Sequence, residues 1–362
     1  GVDGTHRALH LFASPVSEEV PRDGEPGVRY YGPGYHEAGI VRLESGERVY
    51  VAPGAVVSGG FYAVDARDIT ISGRGVIDQS RYERGSGSVV GFSGCRNVKV
   101  EGVILCDASM WCCTFFGCDS VEVDNVKIVG QWRYNSDGID VVNSSRVRVR
   151  NCFVRSFDDA LVVKGMKRNL GEPEPIDIGH LPVEDVLFEN CTVWCDWGHA
   201  LEIGAETCAP SIRNVVYRGI DIVRTSFVAM SILHGDGAPV RDILYEDIRL
   251  NIDPHTPSPV FQTSRGEVYE DAGGFVPMLF EAIINKDMLW AQDALASDVE
   301  GVTYRNVSVT GPEPTSLVKG LDAEHRIRGL VVENLRFNGE PVRDAVRAGI
   351  VIEQHADPVT FR

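Results

Sequence analysis

Short segments that alternate apolar and polar residues recur along most of the chain. Eight of them read polar, apolar, any, apolar, any, Asn/Asp/Gly, apolar, any, apolar, as in RNVKVEGVIL (96–105) and SRVRVRNCFV (145–154). Because successive side chains of a strand point to opposite faces, this pattern predicts short strands with one buried face. The first apolar positions of the copies are Val98, Val121, Val147, Val186, Val215, Ile243, Val302 and Leu330, with an earlier copy at Ile69.

The spacing of these copies predicts a solenoid. Most neighbouring copies are 23 to 29 residues apart, and two longer steps of 39 and 59 residues mark inserted loops. The Asn, Asp or Gly inside each copy marks a sharp bend, where left-handed backbone is tolerated. Two or three short strands per coil fit an all-β parallel β-helix, in which each coil buries its apolar face against its neighbours.

The pattern predicts one catalytic β-helix domain over residues 27–362, preceded by an N-terminal linker or extended edge at residues 1–26. Residues 27–60, with short strands and Gly-rich turns, are expected to form an N-terminal cap or the first rungs. Inserted loops at about 165–180 and 252–299 are expected to wall the binding face. Within the second, KDMLWAQDAL (286–295) is the best candidate for a short helix.

The net charge and composition of the chain limit the classes of molecule that it is expected to bind. The chain has 35 Lys and Arg against 52 Asp and Glu, a net charge of −17, which disfavours nucleic acid and anionic membranes. No window of about 18 apolar residues predicts a membrane span. The nine cysteines lack paired CxxC spacing, so we interpret them as small core residues rather than metal ligands; one or two disulfides stay open.

Three aspartates are candidates for chemistry. Asp137 and the pair Asp158–Asp159 are 21 residues apart, close to one coil, so adjacent rungs about 4.8 Å apart would bring them together. Carboxylates so close together repel each other, so the pKa of at least one of them should rise. One carboxyl can then act as an acid and another as a base, as a glycosidase requires. The alternative is that these aspartates only cap turns, and we assign Asp140 to that scaffold role.

The next coil adds further candidates. Aligning DDALVVKG (158–165) with GHALEIGA (198–205) turns Lys164 and Glu202 outward and puts His199 beside Asp159. Trp132 and Trp197 flank the motifs, either as platforms for a sugar ring or as packing under a loop.

The motifs NSDGID (135–140), DDALVVKG and GHALEIG resemble those of the polygalacturonase family and its right-handed parallel β-helix relatives, including the dextranase/isopullulanase group. The resemblance spans roughly residues 28–340. It implies an inverting glycoside hydrolase that needs no cofactor and no metal, with Asp158 as general acid. By the same resemblance, Asp137 and Asp159 position and deprotonate water, and His199 binds substrate or orients the acid.

One departure from the family pattern concerns the substrate. Where polygalacturonases carry two cations that bind the uronate carboxylate, this chain has Ala229 and Ser231, and Glu202 replaces a usual Ser. Together with the net charge, this favours a neutral poly- or oligosaccharide. An acidic substrate stays open because Lys164, Arg133 and His234 could contact it.

Three hypotheses follow from the sequence. The first is an inverting hydrolase of a neutral glycan. The others are an exo-polygalacturonase-like hydrolase of pectic fragments and a non-catalytic β-helix that binds glycan. A polysaccharide substrate favours secretion or export to the periplasm, whereas unpaired cysteines favour a reducing compartment.

Overall fold

The structure is a computed structural model that describes residues 8–14, 20–254 and 276–362. Within these residues the secondary structure consists of strands and turns. Numbered β1 to β34 in chain order, the strands are Val28–Tyr31, Gly34–Arg42, Arg48–Val51, Ala55–Val64, Arg67–Gly73, Val76–Asp78, Val90–Ser93, Arg96–Glu101, Ile104–Cys106, Cys113–Phe116, Asp119–Asp124, Lys127–Val129, Ile139–Val142, Ser145–Arg150, Phe153–Ser156, Leu161–Gly165, Val183–Glu189, Thr192–Cys195, Leu201–Thr207, Ile212–Arg218, Asp221–Thr225, Val228–His234, Val240–Glu246, Arg249–Asn251, Met278–Ile284, Val299–Arg305, Ser308–Thr310, Thr315–Lys319, Ile327–Arg328, Val331–Glu333, Leu335–Phe337, Glu340–Val342, Ile350–Ile352 and Thr360–Phe361.

The strands stack as a parallel β-helix with three strands in each full coil. One such coil contains β11, β12 and β13, and the next contains β14, β15 and β16. Corresponding strands of successive coils pair in parallel, which makes three faces. We call the face that contains β7, β10, β13, β16, β19, β22 and β25 the third face.

The predicted register of the repeat is confirmed. Val121 pairs with Val98 on one side and with Val147 on the other, and the ladder continues through Val186 and Val215. All these side chains are buried in one continuous core. Each coil therefore contributes equivalent apolar residues to a core that exists only in the stack.

The predicted bends lie between the first and second strands of successive coils. These positions have positive φ, because a residue there must turn the chain sharply, and Gly, Asn and Asp adopt that conformation most readily. Asn151 also donates from Nδ2 to Oδ1 of Asp124 on the neighbouring coil at 2.8 Å. The residues of this column with positive φ are Gly102, Asn125, Asn151, Asn190, Gly219, Asp247, Asn306 and Asn334.

Stacked side chains of one kind follow from this register. Phe188, Tyr217, Tyr245 and Tyr304 form a column with ring centroids 4.8 to 5.1 Å apart and nearly parallel planes.

The nine cysteines are free thiols, and eight of them are buried, as expected for small core residues. Among the described residues, no group of three or more His, Cys, Asp or Glu side chains could hold a metal ion, and no helix is long and apolar enough to cross a membrane.

Two sequence expectations have other outcomes. The segment 286–295 contains turns rather than the expected helix. Backbone amides of Gln292 and Asp293 donate to Asp236 Oδ1 on the neighbouring coil instead of to carbonyls within the segment. Residues 255–275 of the second inserted loop, and residues 1–7 and 15–19 of the N-terminal segment, lie outside the described residues. The described part of that N-terminal segment contacts the coils, since Lys127 Nζ donates to Ser14 Oγ at 2.8 Å.

Candidate active site

The motif aspartates lie in the turns that lead into β13 and β16 of the third face. Ile139 pairs with Leu161, and the Gly138 amide donates to the Asp159 carbonyl at 2.8 Å. The coil is thus 22 residues long at this point, and Asp137 is level with Asp159 rather than with Asp158. The structure brings all three carboxylates to one place, but with a register one residue different from the 21-residue spacing.

The two members of the aspartate pair have different surroundings. Asp158 accepts hydrogen bonds from the backbone amides of Asn135 and Asp159, both at 3.1 Å. Oδ1 of Asp159 accepts from the His199 backbone amide at 2.8 Å and lies 2.8 Å from His199 Nδ1. Asp159 is therefore surrounded by donors and a cation, and Asp158 by neutral amides.

These surroundings separate the pKa values of the carboxyls. Burial and the neighbouring Asp159 raise the pKa of Asp158 well above its usual range. Burial would also raise the pKa of Asp159, but the charge and hydrogen bonds of His199 lower it to about 2. Burial, with Asp140 and Asp158 nearby, raises the pKa of Asp137, whose Oδ1 has no hydrogen-bond partner within the described chain. Among the three motif carboxyls, the pKa of Asp159 is thus lowered while those of Asp158 and Asp137 are raised.

Lys164 points outward from β16, as predicted, and lies among carboxylates. Its Nζ is 3.2 Å from Glu206 Oε2 and 3.6 Å from Asp159 Oδ2. Burial would lower the pKa of Lys164, but Glu206 and Asp159 raise it well above its usual value. The positive charge of the Lys164 ammonium group is therefore already balanced by the carboxylates of Glu206 and Asp159.

Glu202 and His199 belong to a second charged group on the next coils. Glu202 pairs in register with Ser231, which pairs with Glu281. His199 Nδ1 lies 3.6 Å from Glu202 Oε2, and its Nε2 lies 3.5 Å from Glu281 Oε1. Burial would lower the pKa of His199, but Glu202 and Asp159 raise it, so the imidazolium is neutralised within the protein. Burial raises the pKa of Glu202 to about 7.

A cavity of about 570 Å³ is lined by the charged residues Asp137, Asp158, Asp159, Lys164, His199, Glu202 and Glu206. Trp197 is part of its wall, with its ring edge-on to Tyr134 at a centroid distance of 5.4 Å. Trp290, from the described part of the second inserted loop, also lines it. The lining residues with aromatic or long apolar side chains are Met110, Trp111, Tyr134, Leu170, Trp197, Phe227, Leu233 and Trp290.

Trp132 and Arg133 lie outside this cavity. The Trp132 indole donates to Asp107 Oδ1 at 2.8 Å, and Arg133 Nη1 donates to the Ala108 carbonyl at 2.9 Å. The Arg133 guanidinium also lies over the Trp132 ring. Both side chains connect the turn before β13 to the preceding coil. For Trp132, these contacts favour the packing role over the predicted contact with a sugar ring.

His234 is also away from the cavity. It is fully buried, its Nδ1 is 2.8 Å from Thr207 Oγ1, and Leu233 beside it lines the cavity instead. Burial lowers the pKa of His234 to about 4, so the ring is neutral and does not supply a cation for an acidic sugar.

Sequence reasoning missed several acidic residues of the site. Asp140 is not a turn residue: it lies on β13, is fully buried, and neither carboxyl oxygen has a hydrogen-bond partner within the described chain. Alternation along the strand could have identified it, because Ile139 and Val141 point into the core. Glu281 carried no such signal, since it follows a long insertion.

Comparison with known proteins gives the family. The model of "Glycosyl hydrolases family 28" matches residues 68–257. A polygalacturonase of Arabidopsis thaliana is 22% identical over 275 residues, covering 73% of this chain and 53% of its own. A dextranase of an Arthrobacter strain is 28% identical over 173 residues, covering 40% and 26%. The chain thus spans about half of the first relative and about a quarter of the second.

Solved structures confirm the fold. An exopolygalacturonase from Thermotoga maritima superposes with a TM-score of 0.66 at 16% identity, covering 92% of this chain and 84% of the other. This likeness supports the right-handed parallel β-helix predicted from the sequence. Because the family model matches just over half of the chain, this protein belongs to glycosyl hydrolases family 28.

Proposed function

We propose that this protein hydrolyses O-glycosidic bonds of a neutral poly- or oligosaccharide with inversion. The observation that carries the proposal is the different surroundings of two adjacent carboxyls: Asp158 accepts from backbone amides, whereas Asp159 contacts the amide and ring of His199. These surroundings raise the pKa of Asp158 and lower that of Asp159, which favours a protonated Asp158 beside an ionised Asp159. A glycosidase needs one carboxyl of each kind.

The proposed reaction uses both carboxyls at once. Asp158 gives its proton to the glycosidic oxygen as the bond from that oxygen to the anomeric carbon breaks. A water held by Asp137 and Asp159 attacks the anomeric carbon from the opposite side and loses its proton to Asp159. The free Oδ1 of Asp137 supports a role in holding that water. Asp158 ends ionised and Asp159 protonated, and solvent restores both.

The charges of the cavity support a neutral substrate. Five acidic residues line it, and the lining residues that the structure describes include two basic ones, Lys164 and His199. Lys164 is paired with Glu206 and Asp159, and His199 with Asp159 and Glu202. A uronate carboxylate would enter without a cation of its own, and an unpaired buried charge is costly.

A second candidate is hydrolysis of pectic fragments by an exo-polygalacturonase-like activity. It is supported by the similarity to proteins named polygalacturonase. A non-catalytic glycan-binding β-helix is the third.

A screen of dextran, arabinan, galactosides and polygalacturonate separates these hypotheses. We expect release of reducing ends from a neutral glycan, and NMR of the fresh product should show the inverted anomer. Faster hydrolysis of polygalacturonate would contradict the neutral substrate. Binding of a glycan that neither wild type nor Asp158→Asn cleaves would contradict the enzyme.

We expect His199→Gln to change the pH dependence of hydrolysis. The imidazolium keeps the pKa of Asp159 at about 2, so its loss should raise that pKa and move the acid limb of the kcat/KM profile to higher pH. The basic limb, set by Asp158, should move less. The exposed His180→Gln is the control, and an unmoved acid limb in His199→Gln would rule out this electrostatic role.

Substitutions of Trp197 and Trp132 should have different effects on the KM for glycan hydrolysis. Trp197→Ala should raise KM about tenfold, equivalent to about 1.4 kcal/mol, because Trp197 lines the cavity. Trp132→Ala should leave KM within twofold and lower the melting temperature, because its indole binds Asp107. Equal KM values in the two variants would contradict this assignment.

A further inference from the structure

The first inserted loop folds back along the third face. Residues 166–182 follow β16, yet Glu172 reaches Thr114 on β10, two coils earlier, where its Oε1 accepts from Thr114 Oγ1 at 2.8 Å. The same oxygen accepts from Ser88 Oγ at 2.5 Å. Asn169 Nδ2 donates to Ser93 Oγ on β7 at 2.8 Å. Two to three coils at about 4.8 Å each place these contacts about 10 to 14 Å from β16 along the helix axis.

The loop and the face beneath it are complementary in shape. Glu172 and Asn169 are both buried. Gly91 on β7 leaves the space that Glu172 occupies, since a Cβ at that position would lie 2.5 Å from Glu172 Oε2. A second hydrophobic cluster, separate from the main core, packs the loop onto the strands: Trp111, Phe116, Val142, Met166 and Ile178. Packing of this kind indicates a fixed element rather than a loose loop.

The position of the loop determines the shape of the cavity. The outward side chains of the third face form one column in register: Gly91, Thr114, Asp140, Val162, Glu202, Ser231 and Glu281. The loop covers this column at Gly91 and Thr114, and Asp158–Asp159 lead into the strand two coils further on. Leu170 and Gly171 of the loop form the cavity wall on that side.

We propose that residues 166–182 are a plug that closes the N-terminal end of the groove, so that the enzyme removes short units from the end of a sugar chain. A long polysaccharide cannot run past Leu170 and Gly171, because the loop occupies the face where it would continue. Only the end of a chain fits between the plug and the carboxylates. This inference rests on the proposed hydrolase function and adds its mode of attack, with Glu172 as a positioning residue for the plug.

The products of dextran, arabinan and polygalacturonate test the mode of attack. On the polymer that is cleaved, we expect mono- or disaccharides as the first products, with little loss of viscosity. A ladder of oligosaccharides at early times would overturn the plug while leaving the hydrolase function intact. Failure to cleave any of these polymers or their short oligosaccharides would instead overturn the proposed function.

The substitution Gly91→Ala tests the plug without changing the proposed catalytic residues Asp137, Asp158 and Asp159. The added methyl should displace Glu172, so that the ratio of viscosity loss to reducing ends rises several-fold. Tryptic cleavage after Lys167 or Arg168 should become about tenfold faster, a readout that does not need activity. Glu174→Gln, at a half-exposed site on the same loop that pairs with Arg42, is the matched control and should match wild type. Faster proteolysis of Gly91→Ala with an unchanged product pattern would overturn the inference.

Discussion

Replacing Asp158 with Asn should reduce kcat/KM for glycan hydrolysis by about 10²- to 10⁴-fold, the usual contribution of a general acid. The amide keeps the size of the carboxyl but cannot donate the proton that the leaving oxygen needs. Burial and Asp159 raise the pKa of Asp158, which favours the protonated form that this role requires. Initial rates over a pH series, with melting temperatures alongside, measure the effect.

The control for this variant is Asp221→Asn. Asp221 begins strand β21, where it pairs with Arg249 away from the cavity. It should retain wild-type rates. Retention of more than a tenth of the activity by Asp158→Asn would assign the acid to another group, with Asp137 next because burial raises its pKa as well.

Replacing Lys164 with Met should lower the free energy of unfolding by about 3–5 kcal/mol at pH 7, because it leaves buried carboxylates without their cation. Lys164 is 4% exposed and lies within 3.6 Å of both Glu206 and Asp159. Urea unfolding followed by circular dichroism measures the loss. The exposed Lys167→Met is the matched control and should change stability by less than about 0.5 kcal/mol.

The same variant should show a defined pH dependence. With a pKa raised above its usual value, Lys164 stays charged from pH 5 to 8, so its stabilisation of the wild type is constant over that range. In Lys164→Met, Asp159 loses this cation and its pKa rises, so it takes up a proton more readily in acid. The loss of stability should therefore be smaller at pH 5 than at pH 8. A loss independent of pH would indicate that packing of the lysine stem, rather than its charge, is responsible.

Much of the architecture could be predicted because one physical rule repeats. Alternation put Val98, Val121 and Val147 on the inward face, and the bend residues closed each coil, so the parallel stack and its register followed. The neighbourhood of His199 and Asp159 followed from the same alignment, with Leu161 opposite Leu201. Residues one coil apart must be neighbours in a solenoid, which turns sequence spacing into spatial contact.

The register of the site was less certain, because turns between strands have no fixed length. Asp137 stands one residue out of the predicted alignment, although the three carboxylates still meet. Proximity in sequence also misled: Trp132 and Arg133 adjoin the motif, but both contact the preceding coil. Asp140, assigned to a turn, is instead a fully buried, outward-pointing residue of strand β13.

The stacked coils, the inward and outward faces and the meeting of Asp137 with Asp158–Asp159 were all present in the sequence, because each depends on a short period that local residues repeat. The closed end of the cavity was decided only by the tertiary structure. Glu172 meets Ser88 across 84 residues, and Lys167 donates to Gln292 across 125. Contacts of inserted loops have no period, and complementary surfaces such as Gly91 and Glu172 become visible only when the coils have brought them together.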